Sequence, residues 1–215
     1  MQILVIAATS TEIAPFLDKF PAADHLITGV GAPVSIYQIA KRLHQMDYDL
    51  VIQAGIAGSF TTHLRLGEVV LVEKDSFADI GVLEKNQFTT VFEMGLAGSN
   101  DFPFNNGWLV NDQMDLFGAT FKRVAGVTVN SITAAPQSAK HLVEKWNPGI
   151  ESMEGAALHF VCLQEKIPFL QIRGISNYVG ERNKAAWKLK EAIDNVNTAL
   201  ESVVEQFIHH SKQHS

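Results

Sequence analysis

Six short apolar runs rich in β-branched residues alternate with segments of helical period, and this alternation limits the fold more than any other feature of the chain. The runs are Ile3–Ala8, His25–Val30, Leu50–Ala54, Val69–Val72, Val124–Val129 and Phe169–Arg173. Each has the length and composition of a buried strand. Between them, Ile13, Phe16, Leu17 and Phe20 recur at i, i+3, i+4 and i+7, as do Ile36, Ile39, Ala40 and Leu43 after Pro33. That spacing places each set on one helix face, and proline suits a first helical turn. Met153–Glu165 carries Met153, Ala156, Ala157, Phe160 and Val161 on one face, and a stripe from Leu189 through Ala192, Ile193, Val196, Leu200 and Val203 to Phe207 marks a last helix. Strands alternating with helices predict an α/β fold whose largely parallel sheet is covered on both faces.

The middle, from about Asp75 to Phe121, has no clean period and is rich in Gly, Asn and Phe. It has the character of sheet extensions, loops and an oligomer contact. No linker or internal repeat divides the chain, so residues 1–215 are expected to form one domain, with residues 209–215 a frayed tail.

Composition removes several classes of function. A net charge of −6 without a basic run disfavours nucleic acid and anionic membranes, which both need a positive face. Cys162 is the single cysteine, so no internal disulfide can form and nothing implies an oxidising compartment. The first apolar run lacks a preceding basic region and reads as a strand, not a signal peptide. No apolar run approaches the roughly 18 residues of a membrane span. Cytoplasm is the expected compartment. The eight histidines are scattered, and no metal site is expected.

Ligands of open α/β sheets gather at the carboxyl ends of strands. Four such ends carry polar or Gly-rich sequence. Glu12, after the first strand, fits a capping box with Thr9, and equally a carboxylate that takes a proton from an attacking water. Gly55-Ile56-Ala57-Gly58 is either a tight turn or a place where backbone approaches a ligand. Glu154, with Ser152 as helix cap, is either a dipole partner or an acceptor for sugar hydroxyls. Asn177 is either a turn residue or a reader of a base edge, since its amide both donates and accepts.

Taken together, these segments resemble the nucleoside phosphorylase/nucleosidase superfamily over almost the whole chain. Glu12 falls where nucleosidases of the family carry their water-activating Glu. Gly55-Ile56-Ala57-Gly58 is similar to the T-G-x-A-G segment, Ser152-Met153-Glu154-Gly155-Ala156-Ala157 to the [ED]-M-E-[GA]-A-A signature, and Arg173-Gly174-Ile175-Ser176-Asn177 to the R-x-I-S-D strand end. The resemblance implies a three-layer αβα fold with a central mixed, mostly parallel sheet, nucleoside phosphorylase-like. It also implies cleavage of a purine nucleoside without a cofactor.

Two departures from the family pattern refine that expectation. Phosphorylases with a related R-x-G-S-x-G segment hold phosphate through its Arg and Ser, where this chain has Gln53 and Ile56, so water is favoured over phosphate. Adenine-directed members have Asp where this chain has Asn177. Asn cannot hand a proton to purine N7, but it can donate a hydrogen bond to N7 or to a 6-oxo group, which favours hypoxanthine as the leaving base. The combination resembles the futalosine hydrolase subfamily of an alternative menaquinone route, as do Phe77-Ala78-Asp79-Ile80-Gly81-Val82 and Ile175-Ser176-Asn177-Tyr178-Val179.

The resemblance then implies three catalytic residues: Glu12 on water, Glu154 on the ribose hydroxyls and Asn177 on the departing base. Ile56, Ala57 and Gly58 are expected to line ribose and base, Met153 to pack on the sugar with Ser152 beside it, Ser176 to orient Asn177, and Ile132 and Thr133 to touch the base. The expected partners are a nucleoside and water, within a homodimer or larger homo-oligomer. The rival readings are a purine nucleoside phosphorylase, a methylthioadenosine/adenosylhomocysteine nucleosidase and a non-catalytic nucleoside-binding module.

Overall fold

The computed structural model describes residues 2–85, 87–113, 121–134, 136–181 and 183–213. Ten strands form in chain order: β1 Ile3–Ala7, β2 His25–Ile27, β3 Leu50–Ser59, β4 Val69–Asp75, β5 Gly81–Glu84, β6 Gln87–Thr90, β7 Leu109–Val110, β8 Lys122–Thr128, β9 Ile150–Ser152 and β10 Phe169–Tyr178. The helices are α1 Ser10–Lys19, α2 Ala32–Leu43, α3 Pro136–Trp146, α4 Gly155–Glu165 and α5 Leu189–Gln213. The last helix therefore runs into the segment expected to fray.

Period-2 alternation sends successive side chains of a strand to opposite faces, and β1 shows how this builds two cores. Val5 and Ala7 join Ile13 and Phe16 of α1 and Val196, Leu200 and Val203 of α5. Leu4 and Ile6 face the other way, onto Ile39 and Leu43 of α2 and Leu158, Val161 and Cys162 of α4. Helices thus cover both faces of the sheet, giving the three layers. Each fully buried Leu, Ile or Phe contributes roughly 1.5–3 kcal/mol.

The sheet is mixed. β1 pairs in parallel with β2 and β3, β3 with β10, and β8 with both β4 and β9, while β10–β4, β3–β9 and β4–β7 are antiparallel. The pairings β3–β10–β4–β8–β9–β3 close a circuit of five strands. β5 and β6 form a separate hairpin in the irregular middle.

β4 runs on to Asp75, and β3 and β10 are longer still than their sequence suggests. β3 was expected to stop at Ala54 and β10 at Arg173, where glycines interrupt the β-branched runs. Both continue, because they pair with each other up to Ser59 and Tyr178, and β9 pairs with the end of β3. α4 departs from its expected single apolar face: Gly155 through His159 are all buried. It is packed between α2, the sheet and β7. His159 is fully buried and its Nδ1 lies 2.9 Å from the Leu109 carbonyl oxygen.

Candidate active site

The carboxyl ends of β1, β3 and β10, with β9 and the start of α5, enclose a cavity of about 340 Å³, within the range of small-molecule sites. Its lining includes Glu12, Ile56, Ala57, Gly58, Ile132, Ser152, Met153, Glu154, Ser176 and Asn177. Thr133, expected against the base, is buried and does not line the cavity; its backbone N–H and its hydroxyl both donate to Glu151.

Glu12 performs the local role and leaves an oxygen for another. At N3 of α1, its Oε2 accepts from the Thr9 N–H at 3.0 Å, the carboxylate half of a capping box, and also from the Thr9 hydroxyl at 3.1 Å. Oε1 accepts from the Ile56 N–H at 3.2 Å and is turned to the cavity wall. The cap thereby fixes the carboxylate on β3. Gly55 makes room for it: a Cβ there would stand 2.7 Å from Glu12 Oε1 and 2.6 Å from Arg173 Nη1.

Glu154 is itself the N-cap of α4, one residue before the helix. Ser152, expected as that cap, ends β9 instead, and its Oγ accepts from the Gly155 N–H at 3.2 Å. Glu154 Oε1 accepts from the Gly31 N–H at 2.9 Å. Burial pushes the Glu154 carboxyl above its ordinary range, and the charge of nearby Glu12 adds to this. The Arg173 guanidinium and the Gly31 N–H oppose the rise.

At the end of β10, the Ser176 hydroxyl donates to Asn177 Oδ1 at 2.8 Å, and Asn177 Nδ2 donates to the Tyr178 carbonyl at 3.1 Å. One lone pair of the amide oxygen is thus used, and one Nδ2 hydrogen is left for a ligand.

A second polar cluster lies sealed beneath the cavity. Arg173 is 1% exposed, and its Nη2 donates to Gln53 Oε1 at 2.6 Å. Asp75 accepts from the Thr128 hydroxyl at 2.9 Å and from Gln171 Nε2 at 3.2 Å, and Thr128 Oγ1 accepts from the Ala156 N–H at 2.7 Å. The start of α4 is seated on this cluster: a Cβ on Gly155 would meet Asp75 Oδ2 at 2.1 Å. Burial pushes the Asp75 carboxyl up to about 6 and the His159 imidazole down to about 4.

Sequence reasoning missed several lining residues: Thr11, Val30, Glu151, Trp187, Leu189 and Ile193. Trp187 carries a signal that was legible, as a lone indole in the polar stretch before the last helix. Glu151 stands in the polar strand end Glu151-Ser152-Met153-Glu154-Gly155, but in a strand too short for any period to give it a role. Its carboxyl is raised above the usual range by burial and by the charge of Asp79, with the bonds from Thr133 acting the other way.

The site's relatives bear on its chemistry. A profile of the Phosphorylase superfamily matches residues 26–209. Futalosine hydrolase of Thermus thermophilus is 29% identical over 212 residues, covering 92% of this chain and 92% of that protein. That of Streptomyces coelicolor is 28% identical over 225 residues, covering 93% and 94%. A 5′-methylthioadenosine/S-adenosylhomocysteine nucleosidase of Colwellia psychrerythraea is 24% identical over 173 residues, covering 73% and 67%. In fold, the solved futalosine hydrolase of Helicobacter pylori superposes with a TM-score of 0.78 at 16% identity, covering 96% of this chain and 98% of that one. With the superfamily profile spanning most of its length, this chain belongs to the phosphorylase superfamily.

Proposed function

We propose that this protein hydrolyses futalosine at its N-glycosidic bond and releases hypoxanthine. The observation that carries this reading is that Glu12, Glu154 and Asn177 line one cavity. The similarity to futalosine hydrolases over more than nine-tenths of the chain supports it.

In this reaction the ribose binds near Glu154, whose carboxylate accepts hydrogen bonds from the hydroxyls and favours the positive charge that builds at the anomeric carbon. Glu12 takes a proton from water as its oxygen bonds to that carbon. The C–N bond breaks, its electron pair leaves with the purine, and the free Nδ2 hydrogen of Asn177 stabilises the charge on the base. Met153 packs on the sugar, Ser152 holds the turn that carries Met153 and Glu154, Ser176 fixes the amide, and Ile56, Ala57, Gly58 and Ile132 enclose the substrate. Thr133 serves the base indirectly, by tying its loop to Glu151.

Phosphorolysis lacks its anion grip along β3. Gln53 is buried and bonded to Arg173, and the Ile56 N–H is already taken by the Glu12 carboxylate, which would repel phosphate. Val30 and Ile132 line the cavity yet are 56% and 53% exposed. Such an apolar rim supports a homo-oligomer, a homodimer or larger, whose neighbouring subunit closes the 5′ side. Cytoplasmic action fits this chemistry, and no helix among the described residues is long and apolar enough to cross a membrane.

The test is incubation with futalosine, inosine and methylthioadenosine, with and without phosphate, with the free base followed by chromatography. Hypoxanthine from futalosine in phosphate-free buffer is the expected result. Adenine from methylthioadenosine instead, or a strict phosphate requirement, would overturn the proposal.

A further inference from the structure

One carboxylate of the cavity has no part in the reaction just described. Glu151 lines the pocket, is nine-tenths buried, and stands opposite Gly58 in the β9–β3 pairing. Gly58 stands opposite Asn177 in the β3–β10 pairing. Directly paired residues face the same side of a sheet, and neighbouring strands lie about 4.8 Å apart. Glu151 and Asn177 therefore flank a flat glycine floor on one face, with roughly 10 Å between their backbones. That row suits a planar base held between two polar side chains.

The two side chains present opposite chemistry. Asn177 offers an N–H, because Nδ2 spends one hydrogen on the Tyr178 carbonyl and keeps the other. Glu151 offers acceptors: Thr133 uses one site on each oxygen, and a carboxylate has about four. A donor beside an acceptor complements the 6-oxo group and N1–H of hypoxanthine. Adenine reverses both, with an acceptor at N1 and an amino group at position 6.

We propose that Glu151 accepts the N1–H of the bound 6-oxopurine and is, with Asn177, the residue that selects this base over a 6-aminopurine. The inference rests on the hydrolase reading for its substrate, although base binding tests it separately. Loss of one charge-assisted hydrogen bond predicts a change of roughly 10–100-fold.

The experiment measures calorimetric binding of hypoxanthine, adenine and 1-methylhypoxanthine to the wild type and Glu151→Gln, beside hydrolysis of futalosine and its 6-amino counterpart. The wild type is expected to prefer hypoxanthine to both other bases. Glu151→Gln is expected to lose about 10–100-fold of the preference over adenine in binding and over the 6-amino counterpart in kcat/KM. An equal loss on both bases would reduce Glu151 to a clamp for Thr133 and overturn the inference. Should the variant not fold, equal wild-type affinity for hypoxanthine and its 1-methyl derivative overturns it alone. Selective hypoxanthine binding that falls in the variant, without futalosine hydrolysis, would sustain this inference while removing the proposed reaction.

Discussion

The two polar regions of this molecule use similar residues to opposite ends. In the cavity, Glu12, Glu154 and Asn177 are each tied by one to three bonds and keep hydrogen-bonding capacity unspent. A few ångströms deeper, Asp75, Gln171 and Arg173 are sealed from water and face one another and the backbone of α4. The upper region keeps its capacity for a ligand, whereas the lower one spends it on structure. Charge links the two, since Arg173 acts on both Glu154 and Asp75.

The largest expected break in this contrast is Glu12→Gln. An amide keeps one of the two accepting oxygens, so it can still accept from the Thr9 N–H, and the fold should stand while the general base is lost. The expected loss is ~10²–10⁴ in kcat with little change in substrate affinity, measured by steady-state kinetics and by binding to a non-hydrolysable analogue. Unchanged turnover would return Glu12 to the plain capping role.

Next comes Arg173→Met, which should act on stability more than on the site's shape. It strands Gln53 and leaves Glu154 and Asp75 without their shared cation, a change of about 3–5 kcal/mol for a broken buried charge cluster. Urea denaturation reads this directly. A variant as stable as the wild type would show that the lower cluster is not matched by charge.

The pH dependence of the lower cluster sharpens the comparison further. His159 titrates at about 4 in the folded chain and 6.5 unfolded. The unfolded state therefore binds more protons between those values, and this residue's contribution falls as pH falls. Its full size is about 3 kcal/mol. Asp75 titrates at about 6 folded and 3.8 unfolded, so the folded state binds more protons, and its contribution rises by about 3 kcal/mol as pH falls through that window. The two oppose each other between pH 4 and 6. Asp75→Asn removes one opponent of His159, leaving the raised Glu151 and Glu154 carboxyls, and relative to the wild type should lose up to about 3 kcal/mol on acidification from pH 6.5 to 4. A stability profile unchanged from the wild type in this variant would contradict the raised Asp75 carboxyl.

The smallest expected effect is Asn177→Asp, which exchanges a donor for an acceptor on the base. We expect about a tenfold shift in kcat/KM away from 6-oxopurine and towards 6-aminopurine substrates, the size of one hydrogen bond. Unmoved selectivity would remove Asn177 as a base reader.

Much of the upper region was legible before any coordinates, because its signals are local. Thr9-x-x-Glu12 is a four-residue pattern, and the Met153-Glu154-Gly155-Ala156 turn lies within one strand–helix junction. The alternating apolar runs likewise fix two covered faces, as β1 shows. What escaped was register. Nothing near Glu151 says that it stands across Gly58 from Asn177, since that depends on three strands far apart in sequence. The glycines that seemed to end β3 and β10 are held extended by partners no local window contains. Nor does any local window show that α4 is enclosed on several sides, with the His159 ring against the Leu109 carbonyl. Thr133 was placed in the right loop, but its bonds turn it towards Glu151.

The closed circuit of β3, β10, β4, β8 and β9 has a kinetic consequence. An open sheet can shed strands from its margins, as β2 can here, paired among the described residues with β1 alone. A ring offers no such margin, so its amides exchange with solvent deuterium only when several strands separate together. The shared length of β3 and β10, including Gly58 and Asn177, should rank among the slowest-exchanging backbone in the molecule. The base slot is then hung on the part of the chain that opens last.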